Sequence, residues 1–437
     1  MLARKLRDAL AAAALLAPTL CAQVDYVADL RFAIDAIETQ CRTLLDSKKI
    51  DWRKATAPLL EDAKAVHNES EYGMLLKRLL ARLHDGHAEV QPGPAAGKLE
   101  WPVPETTGPG MFWCQSAGKI YIKNAWNDAE RVGLQPGMEV LEVDGQPALQ
   151  WLEQRIATIS DLESFSTPQQ AFFYGCHWGL ADAPGTKRAL VVKKPKGKKS
   201  ERELVYGRAN AVPWGPAFPP AHLKATDDSS DVNYGLTEKK WGYVHIRRCK
   251  EALPEQMDKA LAEIGSAKGL ILDFRANGGG SFDHPAFMGR FVPSGHTYHA
   301  GDDFESAGPN PFGGPIVAIV DGNVRSAGET AAGLFKDDGR GYVIGESATA
   351  GMSSQKTTIE LPSKLFALYV SIGSNRSRYN GGKGLEGLGV IPHRIVEYEP
   401  EDLAEKVDTL IRVAEELLAK FPQKDVRYDP KEFGWKK

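Results

Sequence analysis

Little in this chain commits it to a metal, a nucleic acid or a membrane. It has five cysteines in 437 residues. None falls at metal-ligand spacing, so no zinc ribbon or finger is expected. Neither charge sign is in excess: 54 Lys and Arg stand against 57 Asp and Glu, a net of −3. That balance removes the electrostatic case for nucleic acid or for an anionic bilayer. After the first two dozen residues, no apolar run is long enough to span a membrane. The one glycine triplet, Gly278-Gly279-Gly280, is followed by neither a Lys-Ser/Thr pair nor G-x-G-x-x-G. A phosphate cradle therefore has no support there.

What is present describes an exported globular protein. Hydrophobic residues make up 42% and charged residues 25%, the usual globular proportions. The length calls for two or three domains. Arg4, Lys5 and Arg7 precede an apolar run, Ala9 to Leu20, and cleavage after Ala22 fits a signal peptide over 1–22. Leu20 before Cys21 is larger than lipidation sites usually accept, so a periplasmic or extracellular protein is expected rather than a lipoprotein. Cys41, Cys114, Cys176 and Cys249 remain after cleavage. They allow three pairings, and none is assigned.

The pattern changes along the chain. Residues 24–96 form an N-terminal region that is helical to about residue 84, with Leu30, Ile34, Ile37, Cys41 and Leu44 at helical spacing. Residues 105–207 read as short strands with a helix near 148–157, and the basic run Lys193 to Lys199 as a hairpin tip. A linker spans 208–232. From 233 to 420 strands and helices alternate, including strands at 269–274, 316–320 and 365–370 and a helix over 403–418. That alternation predicts a layered α/β core. Residues 421–437 read as a polar tail.

Ser326 stands where the apolar strand Ile316–Val320 turns into a helix, though without the G-x-S-x-G elbow. Ser326 and Glu329 also form S-x-x-E, a capping box that needs no chemistry. Gly278 to Gly280 follow a buried strand and offer either a tight turn or half of an oxyanion site, with the Ala327 N–H as the other half. A serine nucleophile needs a base. His87, in a glycine-containing turn after the helical region, is the sharpest candidate. His84, Asp85 and His87 could instead hold a metal, but no further ligand is evident. Glu386 lies among glycines in Gly384 to Gly389. It can orient a histidine or simply sit in a loop.

Two resemblances sharpen this. Ala129, Gly133, Leu134, Gly137, Val140, Leu141, Val143 and Gly145 resemble a PDZ domain of the bacterial protease-associated kind. Such a module implies binding of extended C-terminal peptides by strand addition. The ordered set LHDGH, LILDFRANGGG, RSAGE, VIGESATAG and EGLGVIPH resembles the C-terminal processing (tail-specific) protease family, over roughly residues 24 to 420. The resemblance implies a helical N-terminal part, a PDZ-like module, a ClpP/crotonase-like catalytic core and polypeptide substrates.

One branch of that family uses a Ser–Lys dyad. Here Gly351 stands at the lysine's place, and Lys356 follows five residues later. The other branch, that of tricorn protease, uses serine, histidine and glutamate, which map to Ser326, His87 and Glu386. The residue before the histidine is a serine in tricorn and Gly86 here. The resemblance implies an oxyanion site of Ala327 with Gly279 or Gly280, and no metal or organic cofactor. A non-catalytic peptide- or ligand-binding protein on the same scaffold, and a crotonase-like acyl-CoA enzyme, are the rival readings. Export argues against the second.

Overall fold

The computed structural model describes residues 24–97, 104–207, 215–299, 303–373 and 378–421. The expected signal peptide and nearly all of the expected tail lie outside these.

Five short strands, mostly apolar, form the centre of the core sheet. In sheet order they are Arg394–Ile395, Tyr342–Gly345, Ile316–Val320, Leu270–Asp273 and Gly242–Ile246, all parallel. Val232–Leu236 and Lys224–Ala225 extend the sheet antiparallel. Every residue of Gly242–Ile246, Leu270–Asp273, Ile316–Val320 and Tyr342–Gly345 is buried, as expected when helices cover both faces of a parallel sheet. Successive residues serve opposite cores. Leu270 and Leu272 pack with Met257, Phe287 and Phe335. Ile271 packs with Leu410 and Ala414 on the other side. Residues 208–214 of the linker expected over 208–232 lie outside the described residues, and its later part is partly sheet: Lys224–Ala225 and Val232 are strand residues of the main sheet.

The strand Phe366–Ser371 departs from the expected alternation. Its burial alternates along its first half, so only one face needs cover. It leaves the main sheet and pairs with Glu89–Pro92 and Lys356–Glu360. Phe366, Leu368 and Val370 pack against the N-terminal helices Tyr26–Gln40, Arg42–Lys48, Trp52–Asp62 and Glu69–Ala81. Asp25, Asp51 and Asn68 cap three of these helices through their side chains. This sheet ties the N-terminal region to the core, which brings Lys48 and His87 to the serine's domain.

Residues 111–205 contain a five-strand antiparallel path: Met111–Ser116, Lys119–Ala125, Glu139–Val143, Lys187–Lys193 and Lys199–Val205. Its own core includes Trp113, Ile122, Val140, Leu152 and Leu190. The basic run is a hairpin tip, with Lys193 opposite Lys199. The helix Pro168–Cys176, capped by Thr167, lies in a stretch the sequence left unread. All four described cysteines are free and buried. The expected helix over 403–418 is two pieces, Pro400–Ala404 and Thr409–Ala419. Asp408 caps the second piece by accepting from the Leu410 and Ile411 N–H groups, both at 3.1 Å.

Candidate active site

The turn before Ser326 is built on one buried carboxylate. Asp321 accepts the N–H groups of Ala276, Asn323 and Val324 at 2.9, 3.0 and 3.1 Å. These bonds end the strand and join it to the neighbouring one. Burial, reinforced by Glu346, pushes Asp321 up to about 7.

Ser326 then takes φ 54° and ψ −124°. A non-glycine residue in this region is strained by about 1–3 kcal/mol. The Ser326 N–H is held by the Met352 carbonyl at 3.2 Å, and the Arg325 N–H by the Asn277 carbonyl at 3.1 Å.

The capping-box expectation is wrong. Ser326 makes no side-chain cap bond to its helix, Ala327–Asp337. Positive φ swings its Cβ away from the helix N–H groups. Glu329 does not reach back either. It accepts from the Thr349 hydroxyl and from the Gly351 and Met352 N–H groups, the last two at 2.7 and 2.9 Å. Burial pushes Glu329 up to about 8, against the pull of these donors.

Gly279 and Gly280 lie beside this turn. A Cβ on Gly279 would stand 2.8 Å from the Ser326 Cβ, and one on Gly280 would stand 1.8 Å from the Cys249 carbonyl oxygen. Only glycine permits that approach, at φ +81° and +139°. The Gly279 N–H donates to Asn277 Oδ1 at 2.8 Å. The Gly280 and Ala327 N–H groups make no hydrogen bond among the described residues. Two unpaired donors therefore flank the serine.

His87 and Glu386 come together from opposite ends of the chain. A ring nitrogen of His87 and one carboxylate oxygen each of Asp85 and Glu386 lie within 4.8 Å of one another. His87 Nδ1 and Glu386 Oε2 are both buried and unpartnered among the described residues. Burial, then the charge of Lys356, pushes His87 down to about 4, with Asp85 opposing. The imidazole is therefore neutral at pH 7 and able to accept a proton.

Asp85 fixes the turn. It accepts the His87 N–H at 3.0 Å and the N–H and hydroxyl of Ser371 at 2.7 and 2.9 Å. Glu386 Oε1 accepts from Lys48 Nζ at 2.8 Å and from Ser166 Oγ at 3.2 Å. Burial raises Glu386, and Lys48 pulls it back.

Met352 bridges the two groups. Its carbonyl holds the Ser326 N–H, and a Cβ on Gly86 would lie 2.9 Å from its sulfur. No hydrogen bond joins the Ser326 hydroxyl to the His87 ring among the described residues. Catalytic contacts of this kind tighten when substrate binds. Gly351 has no room for a longer side chain: its Cβ would stand 2.5 Å from Thr167 Cγ2. Lys356 Nζ donates to the Ser354 carbonyl at 3.0 Å, and burial lowers its pKa.

Asp85, His87 and Glu386 are also the one described group with ligand-type atoms close enough for a cation. Lys48 is paired with Glu386, and the charge of Lys356 is felt at His87, which opposes a second positive charge there. His84, expected as a possible ligand, is not in this group.

Sequence reasoning missed Lys48 and Ser166. Lys48 ends a helix beside Lys49 and reads as a solvated terminus. Ser166 lies in an unpatterned stretch. Neither carries a local signal, because both act through contacts between segments distant in sequence.

Residues 240–396 match the model of peptidase family S41. Among curated proteins, the C-terminal processing peptidase, chloroplastic, of Tetradesmus obliquus is 29% identical over 355 residues, covering 77% of this chain and 70% of that one. A tricorn protease homolog of Saccharolobus solfataricus is 28% identical over 331 residues, covering 70% of this chain. The match spans only 26% of that longer relative. Among solved structures, mature CPAF superposes with a TM-score of 0.64 at 15% identity, covering 91% of this chain and 96% of that one. That likeness is one of fold. Residues 240–396 are thus similar to peptidase family S41, in a chain similar over most of its length to a C-terminal processing peptidase and to a tricorn protease homolog.

Proposed function

We propose that this chain is an exported serine peptidase that hydrolyses peptide bonds in polypeptides through Ser326, His87 and Glu386. One observation carries the reading. Two buried, unpartnered atoms, His87 Nδ1 and Glu386 Oε2, belong to side chains brought within 4.8 Å of each other. A buried polar atom left without a partner is costly, and an imidazolium formed during a reaction would satisfy both.

In the proposed mechanism Ser326 Oγ attacks the scissile carbonyl as His87 takes its proton. Glu386 orients the imidazole and supports its charge. The N–H groups of Ala327 and Gly280 hold the oxyanion. Gly280 is preferred to Gly279, whose N–H already serves Asn277. Each such donor is worth about 3 kcal/mol of barrier. The strained Ser326 backbone keeps the hydroxyl off its own helix and free to react. No step calls for a metal or organic cofactor.

The leader at Arg4, Lys5, Arg7 and Ala9–Leu20 supports export, to the periplasm or the extracellular space. The antiparallel module over 105–207 supports delivery of substrate C-termini by strand addition. Its strand Met111–Ser116 lies at the sheet edge.

Hydrolysis of an unstructured polypeptide by wild type and Ser326→Ala tests the reading. Cleavage by wild type and none by the variant is expected. Equal cleavage by both, or none by a folded wild type, overturns it.

A further inference from the structure

The N-terminal helical region reaches the candidate relay through one side chain. Lys48, the last residue of the helix Arg42–Lys48, extends over Gly387, where an added Cβ would stand 3.3 Å from its Cε. Its ammonium donates to the His84 carbonyl and, at 2.8 Å, to Glu386 Oε1. The two side chains are 10% and 1% exposed, so this is a buried ion pair rather than a surface one. Ser166 Oγ also donates to Glu386 Oε1 and accepts the Gly86 N–H at 2.8 Å. One carboxylate oxygen is thus tied to three segments: the helix ending at Lys48, the 84–86 turn through His84 and Gly86, and the 166 loop. The other oxygen, Oε2, is bare and buried.

A carboxylate held at one oxygen only by a cation and a hydroxyl cannot rotate without breaking a buried ion pair, which is strongly disfavoured. We infer that Lys48 is a positioning residue: with Ser166 it clamps Glu386 Oε1 and so leaves Oε2 aimed at the His87 ring. The inference rests on the peptidase reading given above. Ser166 supplies from another segment the hydroxyl that Gly86 cannot offer, and Lys48 adds a cation from outside the residues that match the S41 model.

The geometry also provides an unusual test. A cavity of about 650 Å³ opens on this clamp, lined by Lys48, Ser166, Glu386, Gly387, Phe165 and Leu388 among others. Lys48→Ala removes three methylenes and the ammonium. Propylammonium has that shape and charge and can enter from the cavity. The readout is covalent labelling by a fluorophosphonate, which needs no knowledge of the natural substrate. The maximal labelling rate is separated from the concentration that gives half of it.

Lys48→Ala is expected to lower the maximal rate on the order of 100-fold, the scale of a misplaced catalytic group, with half-saturation nearly unchanged. Added propylammonium should restore much of the rate in Lys48→Ala and none in wild type, whereas neutral propanol should do nothing. Lys48→Met keeps the packing and removes only the cation. It should lose the same rate and gain nothing from the amine. If Lys48→Ala fails to fold, Lys48→Met decides alone. Wild-type rates in Lys48→Met, or a loss in folded Lys48→Ala that propylammonium leaves untouched, overturn the inference. Absence of labelling and of peptide cleavage in wild type instead sinks the peptidase reading, and this inference with it. An active wild type with unaffected variants sinks this inference alone.

Discussion

Replacing Lys356 by methionine should move the acid limit of activity upward. His87 must be neutral to take a proton from Ser326. In the folded protein its pKa falls from the usual 6.5 to about 4, a bias of about 3 kcal/mol against the imidazolium. Burial is the first cause and the charge of Lys356 the second, with smaller pushes from Arg325 and Lys48 and an opposing pull from Asp85.

The pH dependence of kcat/KM reports the free enzyme's base. Wild type should therefore keep its activity to well below pH 6.5, with the acid limb near about 4. Lys356→Met removes one cation and leaves burial intact, so the limb should rise but stop short of 6.5. Stability follows the same sign. The unfolded histidine binds its proton near 6.5 and the folded one only near 4, so this contribution is complete above about 6.5 and lost as pH falls through about 4. The assay is peptide cleavage under kcat/KM conditions from about pH 4 to 8, with circular dichroism to establish folding at each point. A wild-type limb at 6.5 would refute the burial argument. Loss of activity at every pH in folded Lys356→Met would make Lys356 the base instead of His87.

Two further outcomes are expected. Arg275 is fully buried between Asp273 and Asp408, at 2.6 and 2.9 Å. Asp408→Ala takes away one of the two carboxylates, leaving the buried Asp273–Arg275 pair and two orphaned donors, and uncaps the helix Thr409–Ala419, so urea titration should show a loss of about 3 kcal/mol. Prolonged dialysis against a strong chelator should leave peptide cleavage unchanged, and a loss restored by a divalent cation would make Asp85, His87 and Glu386 a metal site.

Much of the layered core was legible because its central strands are mostly apolar and its turns carry glycine. The run Ile316–Val320, the strand before Asn277 and the turn at Ser326 all lie where the residues indicate. The strand Phe366–Ser371 was misplaced because an apolar run does not reveal how many of its faces are covered. The break before Asp408 has no signal in the apolar spacing, which continues across it, and the second piece starts only through the bonds of the Asp408 side chain to two N–H groups. At the candidate site, Ser326, His87 and Glu386 stood out by turn chemistry and by family resemblance. Glu329 looked like half of a capping box, yet it holds the 349–352 loop, since the positive φ of Ser326 rules the box out. Lys48 and Ser166 gave no signal, because their roles exist only once the helical region and the 166 loop pack on Glu386.

The central claim is that Ser326 is the nucleophile and His87 its base. Mass spectrometry of fluorophosphonate-treated protein tests it most directly, with wild type, Ser326→Ala and His87→Ala compared. The account predicts one adduct in wild type, localised to Ser326, none in Ser326→Ala, and labelling slowed by about 10²–10⁴-fold in His87→Ala. An adduct on any other residue, or wild-type labelling of Ser326 in folded His87→Ala, would contradict it.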